Sequence, residues 1–362
     1  MIIQPDGRPR EDEVKRSWGP QTNRRTTDKG VLVFMNVRRD VALVFPGQGA
    51  QQPRMGAGLY GSEPEFTRVM DEFFAASGAT GARLRDMWLS YRPGPDFDDC
   101  SLAQPLLFAV GVALALAVIA RGIKPAVLVG HSVGELAAAA VAGVYGITDA
   151  GQILAARTTA MAGTRPGGMI AVATGVARVT ELFGGDLAGH GLAIAAINSP
   201  RQTVLSGAAD VLADAERTLL IAGVAVYRVK ARQAFHSPLC DAASVRFGEL
   251  IGSIGFRPPT IPIRSTATGR DVSDDEAVTP TFWANQLART VLFGAAMDEL
   301  FTAGNYVVLE AGPAGGVTSV LRKHRSVRSG ANVLLPLLPT LSERNSLDVF
   351  EESLSAAFEC VN

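Results

Sequence analysis

The stretch AVLVGHSVGELAAAAVAG, which begins at Ala126, constrains the fold of this chain more than any other. The apolar run 126–129 is typical of a buried parallel strand, and the alanine-rich stretch after Gly134 is typical of a helix. Ser132 lies between them with a glycine two residues away on either side, because a turn from such a strand into a helix is too tight for larger side chains. The pattern predicts a nucleophile elbow, which exposes the Ser132 hydroxyl beside the free N–H groups of a helix N-terminus.

Plainer interpretations of this region stay open. The turn around Ser132 could also serve only the packing of the strand against the helix, in which case the serine has no chemical role. Glu135 is expected to be a solvated acid, since acidic residues favour the first turn of a helix. Gly47 and Gly49, in GQGAQQ, resemble half of a dinucleotide-binding fingerprint, but the third glycine and the later acidic residue are missing.

The alternation of strands and helices around the elbow predicts an α/β fold. VALVF, at 41–45, is a second buried strand, and SLAQPLLFAVGVALALAVIARGI, at 101–123, is a long buried helix closed by Gly122. YVVLEAG, from Tyr306, is a late strand. We therefore expect a hydrolase-like core with a mostly parallel sheet, formed by 37–165 and 234–362.

Two other segments differ from this core in their pattern of apolar residues or in composition. Residues 166–233 contain short apolar runs and helical segments in the order strand, helix, two strands, helix, strand, which is the ferredoxin-like order. This range is predicted to be a small inserted subdomain. Residues 1–36 are polar, rich in Arg, Thr, Pro and Gly, and are predicted to form a disordered leader.

Composition excludes several classes of function. The net charge of −1 and pI of about 6.5 give no basic face, so nucleic acid is not expected as a partner. The three cysteines are far apart and show neither a disulfide framework nor zinc-binding spacing, which favours a reducing cytoplasm and no metal. The longest apolar run, 106–120, is short for a membrane span, and the N-terminus lacks the apolar core of a signal peptide, so no membrane is expected.

A nucleophilic serine needs a base, and the chain has four histidines. His131 adjoins Ser132, but neighbouring side chains in a tight turn point in different directions. His190 lies in a glycine-rich loop of the subdomain and His324 in a basic stretch, and both are expected at the surface. His236, in QAFHSPL, lies where the chain returns to the core, which makes it the candidate base.

Taken together, these motifs resemble those of the malonyl-CoA:acyl-carrier-protein acyltransferases. Seven motifs in order carry the resemblance, which runs from about Asp40 to about Leu341: FPGQGAQ, AQPLLFAVGVALA, GHSVGELAAAAVAG, AARTTAMAG, AAINSPRQTVLSG, AFHSPLCDA and LEAGPAGGVTSVL. Two further stretches resemble the acyltransferase domains of modular polyketide synthases more than they resemble the fatty-acid enzyme. They are FRPPTIPIRSTATG and LLPLLPTLSERN. Because no ketosynthase or carrier region accompanies them, the chain looks like a free-standing, trans-acting form.

The resemblance implies roles for five residues. Ser132 would be the nucleophile that becomes the acyl ester. His236 would be the general base, and later the acid for the leaving thiol. A backbone carbonyl orients the base in this family, and the matching residue here is Gln286. The backbone N–H groups of Gln48 and Val133 would form the oxyanion hole.

The resemblance also implies how the acyl group is recognised. Arg157 matches an arginine that pairs with the free carboxylate of a malonyl-type group, and a guanidinium fork suits a carboxylate. By composition alone a solvated helix arginine is the alternative. Gln104 matches a glutamine of the acyl pocket, and Phe235 matches the malonyl type, since the methylmalonyl type has serine there. Gln233 departs from the usual histidine, so an unusual extender unit stays open.

The expected function is transfer of a malonyl-type unit from CoA to the phosphopantetheine thiol of an acyl carrier protein. The expected partners are an acyl carrier protein and malonyl-CoA or a related acyl-CoA. No cofactor is expected to be bound, because the CoA thioester is a substrate. A serine hydrolase with the same Ser132–His236 pair is the nearest alternative, and Arg157 argues against it. A module that only binds carrier proteins is the other alternative.

Overall fold

A computed structural model describes residues 38–340 and 345–361, together with two short strands nearer the N-terminus. These two strands, β1 (Arg25–Thr26) and β2 (Leu32–Val33), pair antiparallel. Apart from them, the leader 1–36 lies outside the described residues, so its predicted disorder stays a prediction.

The central sheet is parallel throughout, as the apolar runs predict. Its strands, in spatial order, are β11 (Val333–Leu338), β10 (Tyr306–Pro313), β3 (Asp40–Phe45), β4 (Pro125–Gly130) and β9 (Ile263–Arg264). Residues 41–45 of β3 are at most 2% exposed. A central strand that is covered on both faces has no solvent-facing side, which explains why its sequence is continuously apolar rather than alternating.

Helices pack against this sheet, and two others pack against the sheet of the subdomain described below. In the described part of the chain they are α1 (Pro64–Ala76), α2 (Gly81–Leu89), α3 (Cys100–Ala120), α4 (Gly134–Val141), α5 (Ile147–Met161), α6 (Val176–Leu182), α7 (Ala209–Ile221), α8 (Asp241–Leu250), α9 (Asp274–Ala277), α10 (Pro280–Asn285), α11 (Phe293–Ala303), α12 (Thr318–Leu321), α13 (Arg325–Arg328) and α14 (Ser346–Val361). Short 3₁₀ turns at 78–80, 95–98 and 238–240 complete them.

The most apolar helix, α3, belongs to the interior of the protein. The Asp99 carboxylate caps its first turn by accepting a hydrogen bond from the Ser101 amide at 2.9 Å. By length and composition α3 could cross a membrane, with a mean hydropathy of 2.4, but 89% of that stretch is buried within the protein. It packs against α1, α4 and β10. A helix that is apolar on every side here fills the core, as expected.

The second sheet belongs to the small subdomain. Its strands are β5 (Gly167–Val172), β6 (Leu192–Ser199), β7 (Gln202–Ala208) and β8 (Val226–Arg228), in the spatial order β6-β7-β5-β8 and antiparallel. With α6 and α7 they give the predicted ferredoxin-like order. Pro166 pairs with Gln233, and the Gly167 amide donates to the Arg232 carbonyl at 3.2 Å. The chain therefore enters and leaves the subdomain at one place, three residues before His236.

Candidate active site

Ser132 lies at a strained elbow between β4 and α4. Its φ is +56°, a left-handed conformation that residues other than glycine seldom adopt. A Cβ on Gly130 would lie 2.2 Å from the backbone of Glu135, and a Cβ on Gly134 would lie 2.3 Å from the Phe45 carbonyl oxygen. Both glycines are thus required by close approach of backbone to backbone, which is the physical content of the G-x-S-x-G pattern.

The elbow places the Ser132 hydroxyl against His236. Ser132 Oγ and His236 Nε2 are 2.7 Å apart, although 104 residues separate them in the sequence. His236 also has a left-handed backbone, with φ of +59°, and its amide donates to the Leu287 carbonyl at 2.8 Å. The two side chains that the sequence predicts as nucleophile and base are therefore in direct contact.

The carbonyl that orients His236 corrects one prediction. His236 Nδ1 donates to the carbonyl of Arg289 at 2.9 Å, rather than chiefly to that of Gln286. The Gln286 carbonyl also faces the ring, as a second and smaller contribution. The physical reason is the turn after α10, where the Arg289 amide donates to the Asn285 carbonyl and brings the Arg289 carbonyl round to the imidazole.

The environment of His236 keeps its imidazole neutral. Burial is the main cause that lowers its pKa to about 3, followed by the positive charge of Arg157 and then by His131. The hydrogen bonds to the Arg289 and Gln286 carbonyls act in the opposite direction. With Nδ1–H donating to a carbonyl, Nε2 carries the lone pair and accepts from Ser132, which is the tautomer that a general base needs.

His131 is directed away from the reacting hydroxyl, as predicted. Its Nε2 hydrogen-bonds Asn198 Oδ1 at 2.9 Å, and its ring packs against Phe293 with centroids 5.4 Å apart. Asn198, at the end of β6, also lines the cavity in front of Ser132, and sequence reasoning did not single it out. Of the other histidines, His190 is exposed, and His324 Nε2 lies 2.7 Å from the carboxylate of Asp298.

The predicted oxyanion-hole residues lie beside Ser132. Val133 follows it directly at the start of α4, and a Cβ on Gly47 would lie 3.3 Å from Ser132 Cβ, which brings the loop that contains Gln48 to the same place. The amides of Gln48 and Val133 have no hydrogen-bond acceptor among the described residues. Two unused donors beside a nucleophile suit a developing oxyanion.

Arg157, on α5, is buried rather than solvated, with 1% exposure. Its Nε donates to Gln104 Oε1 at 2.7 Å, and its Nη1 is buried without a partner among the described residues. The guanidinium lies 5.9 Å from the ring centres of both Phe235 and Phe247. Burial lowers its pKa to about 10, so it stays charged at neutral pH. A buried cation without an anion is costly, so an anionic ligand would suit this position.

Gln104 connects this arginine to the loop near Ser132. Its Nε2 donates to Gln48 Oε1 at 2.8 Å, while its Oε1 accepts from Arg157. The Gln48 side chain in turn donates to the carbonyls of Asp98, at 2.9 Å, and Lys230, at 3.1 Å. Three of the residues predicted from the resemblance thus form one continuous hydrogen-bonded chain.

A cavity of about 450 Å³ lies between the core and the subdomain. Ser132, His236, Gln104 and Phe235 line its core side, and residues of β5, β6 and β7 line the opposite side. Arg157 is not among the lining residues, although it donates to Gln104 and lies 5.9 Å from the Phe235 ring, and both of these residues line the cavity. Gln233 is not among them either, so its predicted contact with substrate stays a prediction. Its backbone pairs with that of Pro166 where the subdomain begins and ends, and its side chain faces Asp99.

Glu135 also differs from its prediction, because it is 1% exposed and not a solvated acid. The first turn of α4 packs against the loop after β9, so the carboxyl faces the hydroxyls of Ser265 and Thr266 and the amides of Thr266 and Ala267. Burial raises its pKa to about 7. The run of small polar residues STATG, at 265–269, is the sequence signal that accompanies this contact.

Comparisons with known proteins find similar sequences and structures. The family model described as "Acyl transferase domain" matches residues 42–352. Among curated relatives, one component of the phenolphthiocerol/phthiocerol polyketide synthase of Mycobacterium tuberculosis is 32% identical over 286 residues, covering 78% of this chain and 19% of that protein. Spectinabilin polyketide synthase system protein NorB of Streptomyces orinoci is 34% identical over 311 residues, covering 83% and 14%. The chain therefore spans less than a fifth of the length of these relatives.

Solved structures of acyltransferases are also similar to this chain. The acyltransferase domain from the second module of the salinomycin polyketide synthase is 32% identical, with a TM-score of 0.79 over 89% of this chain and 73% of that one. The malonyl CoA-acyl carrier protein transacylase of Coxiella burnetii shares the fold, with a TM-score of 0.76 at 23% identity over 90% of this chain and 99% of that one. From the matched family model and these relatives, the chain belongs to the acyl transferase domain family.

Proposed function

We propose that the chain transfers a malonyl-type acyl group from CoA to the phosphopantetheine thiol of an acyl carrier protein, through an ester on Ser132. The observation that carries this proposal is Arg157, a buried guanidinium whose Nη1 has no partner among the described residues and whose charge acts on His236. A hydrolase for uncharged acyl groups would give this cation no partner. A free carboxylate on the acyl group would pair with it bidentately.

The first half of the reaction loads the enzyme. Ser132 Oγ attacks the thioester carbonyl while its proton passes to His236 Nε2, over the 2.7 Å that separates them. The amides of Gln48 and Val133 donate to the oxyanion. When the C–S bond breaks, His236 Nε2 returns the proton to the sulfur, and CoA leaves as a thiol.

The second half runs the same steps in the opposite direction. The carrier thiol gives its proton to His236 and its sulfur attacks the Ser132 ester carbonyl. The C–O bond then breaks and the proton returns to Ser132 Oγ. Throughout, the Arg289 carbonyl accepts from His236 Nδ1 and stabilises the imidazolium that forms in each half.

Phe235 supports a preference for an unbranched acyl group. Its ring is 1% exposed, lines the cavity, and lies 5.9 Å from the Arg157 guanidinium and 6.4 Å from the His236 ring. A malonyl unit held by Arg157 and attacked by Ser132 passes its α-carbon near this ring. A methyl branch there costs on the order of 1–3 kcal/mol, so we propose a preference for malonyl over methylmalonyl rather than absolute exclusion.

Intact-protein mass spectrometry tests the proposal. The protein is incubated with malonyl-CoA, methylmalonyl-CoA, ethylmalonyl-CoA or acetyl-CoA, and then with a holo acyl carrier protein, with Ser132→Ala as the matched control. A malonyl ester that needs Ser132 and discharges to the carrier thiol supports transfer. Rapid release of free malonate indicates a hydrolase, and absence of any ester indicates a binding module. Dominant labelling by a branched donor overturns the malonyl preference.

A further inference from the structure

Thr266, in the loop after β9, forms hydrogen bonds both to the backbone just before Ser132 and to the segment that orients His236. It is 1% exposed. Its hydroxyl donates to the carbonyl of Gly130 at 2.7 Å, two residues before Ser132. Its own carbonyl accepts from the amide of Leu292 at 2.6 Å, three residues after Arg289, whose carbonyl orients His236.

The segment 289–292 is held from two directions. On one side β6 of the subdomain binds it, because the Val291 amide donates to the Ala195 carbonyl at 2.9 Å and the Ile197 amide donates to the Val291 carbonyl at 2.8 Å. On the other side lies Thr266. The position of the Arg289 carbonyl, and with it the orientation of His236, therefore depends on these two contacts as well as on the turn after α10.

Glu135 completes the contact with the elbow. Its Oε2 lies 3.3 Å from Thr266 Oγ1. The Thr266 hydroxyl donates chiefly to Gly130 at the shorter distance, and Glu135 Oε2 is a second, weaker acceptor for the same hydroxyl. The elbow is thus bound to Thr266 on both sides of Ser132, through Gly130 before it and Glu135 after it.

We propose that Thr266 is a positioning residue that sets the geometry of the Ser132–His236 pair, by joining the nucleophile elbow to the segment that orients the base. The proposal rests on the proposed function only in taking these two residues as the reacting pair. Without the Thr266 hydroxyl the Gly130 carbonyl is left unpaired and the elbow shifts relative to His236. Displacements of about 1 Å in a reacting pair can cost about 10²-fold in rate.

The test measures the reactivity of Ser132 with a small fluorophosphonate, which has no carboxylate and no CoA. Thr266→Val removes the hydroxyl at nearly constant volume, and Thr266→Ser retains it. Thr203→Val is the matched control, since Thr203 is fully buried in the subdomain and its hydroxyl donates to the Thr174 carbonyl at 3.0 Å. Unfolding midpoints in urea are measured for all variants.

We expect Thr266→Val to slow the labelling of Ser132 by about 10- to 100-fold. Thr266→Ser should be labelled within about threefold of the parent rate. Thr203→Val should lower the urea midpoint without slowing the labelling. Labelling of Thr266→Val at the parent rate, or an equal slowing in Thr203→Val, would overturn the proposal. If Thr266→Val does not fold, Glu135→Met and Glu135→Gln take its place in the test. We then expect Glu135→Met to slow the labelling of Ser132 and Glu135→Gln to be labelled at close to the parent rate. A parent protein that is not labelled at Ser132 contradicts the proposed function instead.

Discussion

Arg157 donates through Nε to Gln104 Oε1 at 2.7 Å and keeps Nη1 buried without a partner in the described part of the chain. One edge of the guanidinium is therefore fixed by a neutral amide, while another donor is unused. A carboxyl side chain in place of Gln104 would neutralise the arginine permanently. The amide orients the charge and leaves it available for a substrate.

Arg157→Ala is expected to lower kcat/KM for malonyl-CoA by about 10- to 150-fold, which corresponds to roughly 1.5–3 kcal/mol for hydrogen bonds to a charged group. Acylation by acetyl-CoA should change little, because acetyl has no carboxylate. Arg157→Lys is the matched control, since it keeps the charge but not the planar fork, and an intermediate loss is expected. Unchanged malonyl kinetics in the alanine variant would rule out the role.

The pH profile of acetyl-CoA acylation reports the neutral state of His236. Its pKa is lowered to about 3, so kcat/KM of the parent should stay constant down to about pH 5 and decline only at lower pH. The charge of Arg157 is the second cause of that shift, so Arg157→Ala should move the acidic limb to higher pH, and Arg157→Lys should move it less. A parent limb near the ordinary histidine value of about 6.5 would contradict the assignment.

The elbow could be predicted from sequence because glycine spacing encodes a close backbone approach. Arg157 was found through its place in a motif, whereas its burial depends on Gln104, Phe235 and Phe247 from three other segments. The main acceptor of His236 lies three residues after the one that the resemblance predicts, since a short turn after α10 decides which carbonyl is nearest to the ring. Such features depend on how distant segments pack, and a local pattern does not contain them.

Phe235→Ser is expected to shift competition between malonyl-CoA and methylmalonyl-CoA towards the branched donor by about 10- to 100-fold, since it removes the ring beside the α-carbon. Phe247→Leu is the control, because Phe247 lies at the same 5.9 Å from Arg157 but not among the residues that line the cavity. The readout is the ratio of the two esters on Ser132 after exposure to an equimolar mixture. An unchanged ratio in Phe235→Ser would show that the ring does not limit branching.

Glu135 should make the stability of the protein depend on pH. Its folded pKa is raised to about 7 from 4.5, so between these values the folded state retains a proton that the unfolded state has lost. The free energy of unfolding then falls as pH rises from about 5 to 7, by up to about 1.4 kcal/mol per pH unit from this group. Glu135→Gln should remove that contribution.

Urea unfolding between pH 5 and 8 measures the slope, with Glu276→Gln as control. The guanidinium of Arg270 holds the pKa of Glu276 below its usual range, so its contribution is lost only at more acidic pH. The control should therefore lower stability by a similar amount at every pH in this window. Identical slopes for the parent and Glu135→Gln would show that Glu135 is ionised in the folded protein.

Ser132 and His236 are two of the three non-glycine residues with positive φ in the described part of the chain, Arg54 being the third. Each such position costs on the order of 1 kcal/mol or more, which a glycine would relieve. Selection of variants for heat resistance alone should therefore favour glycine at 132 and 236, and the survivors would be durable, inert proteins. Selection for heat resistance therefore has to be combined with selection for turnover, because two of these three strained positions carry the side chains that we propose to react.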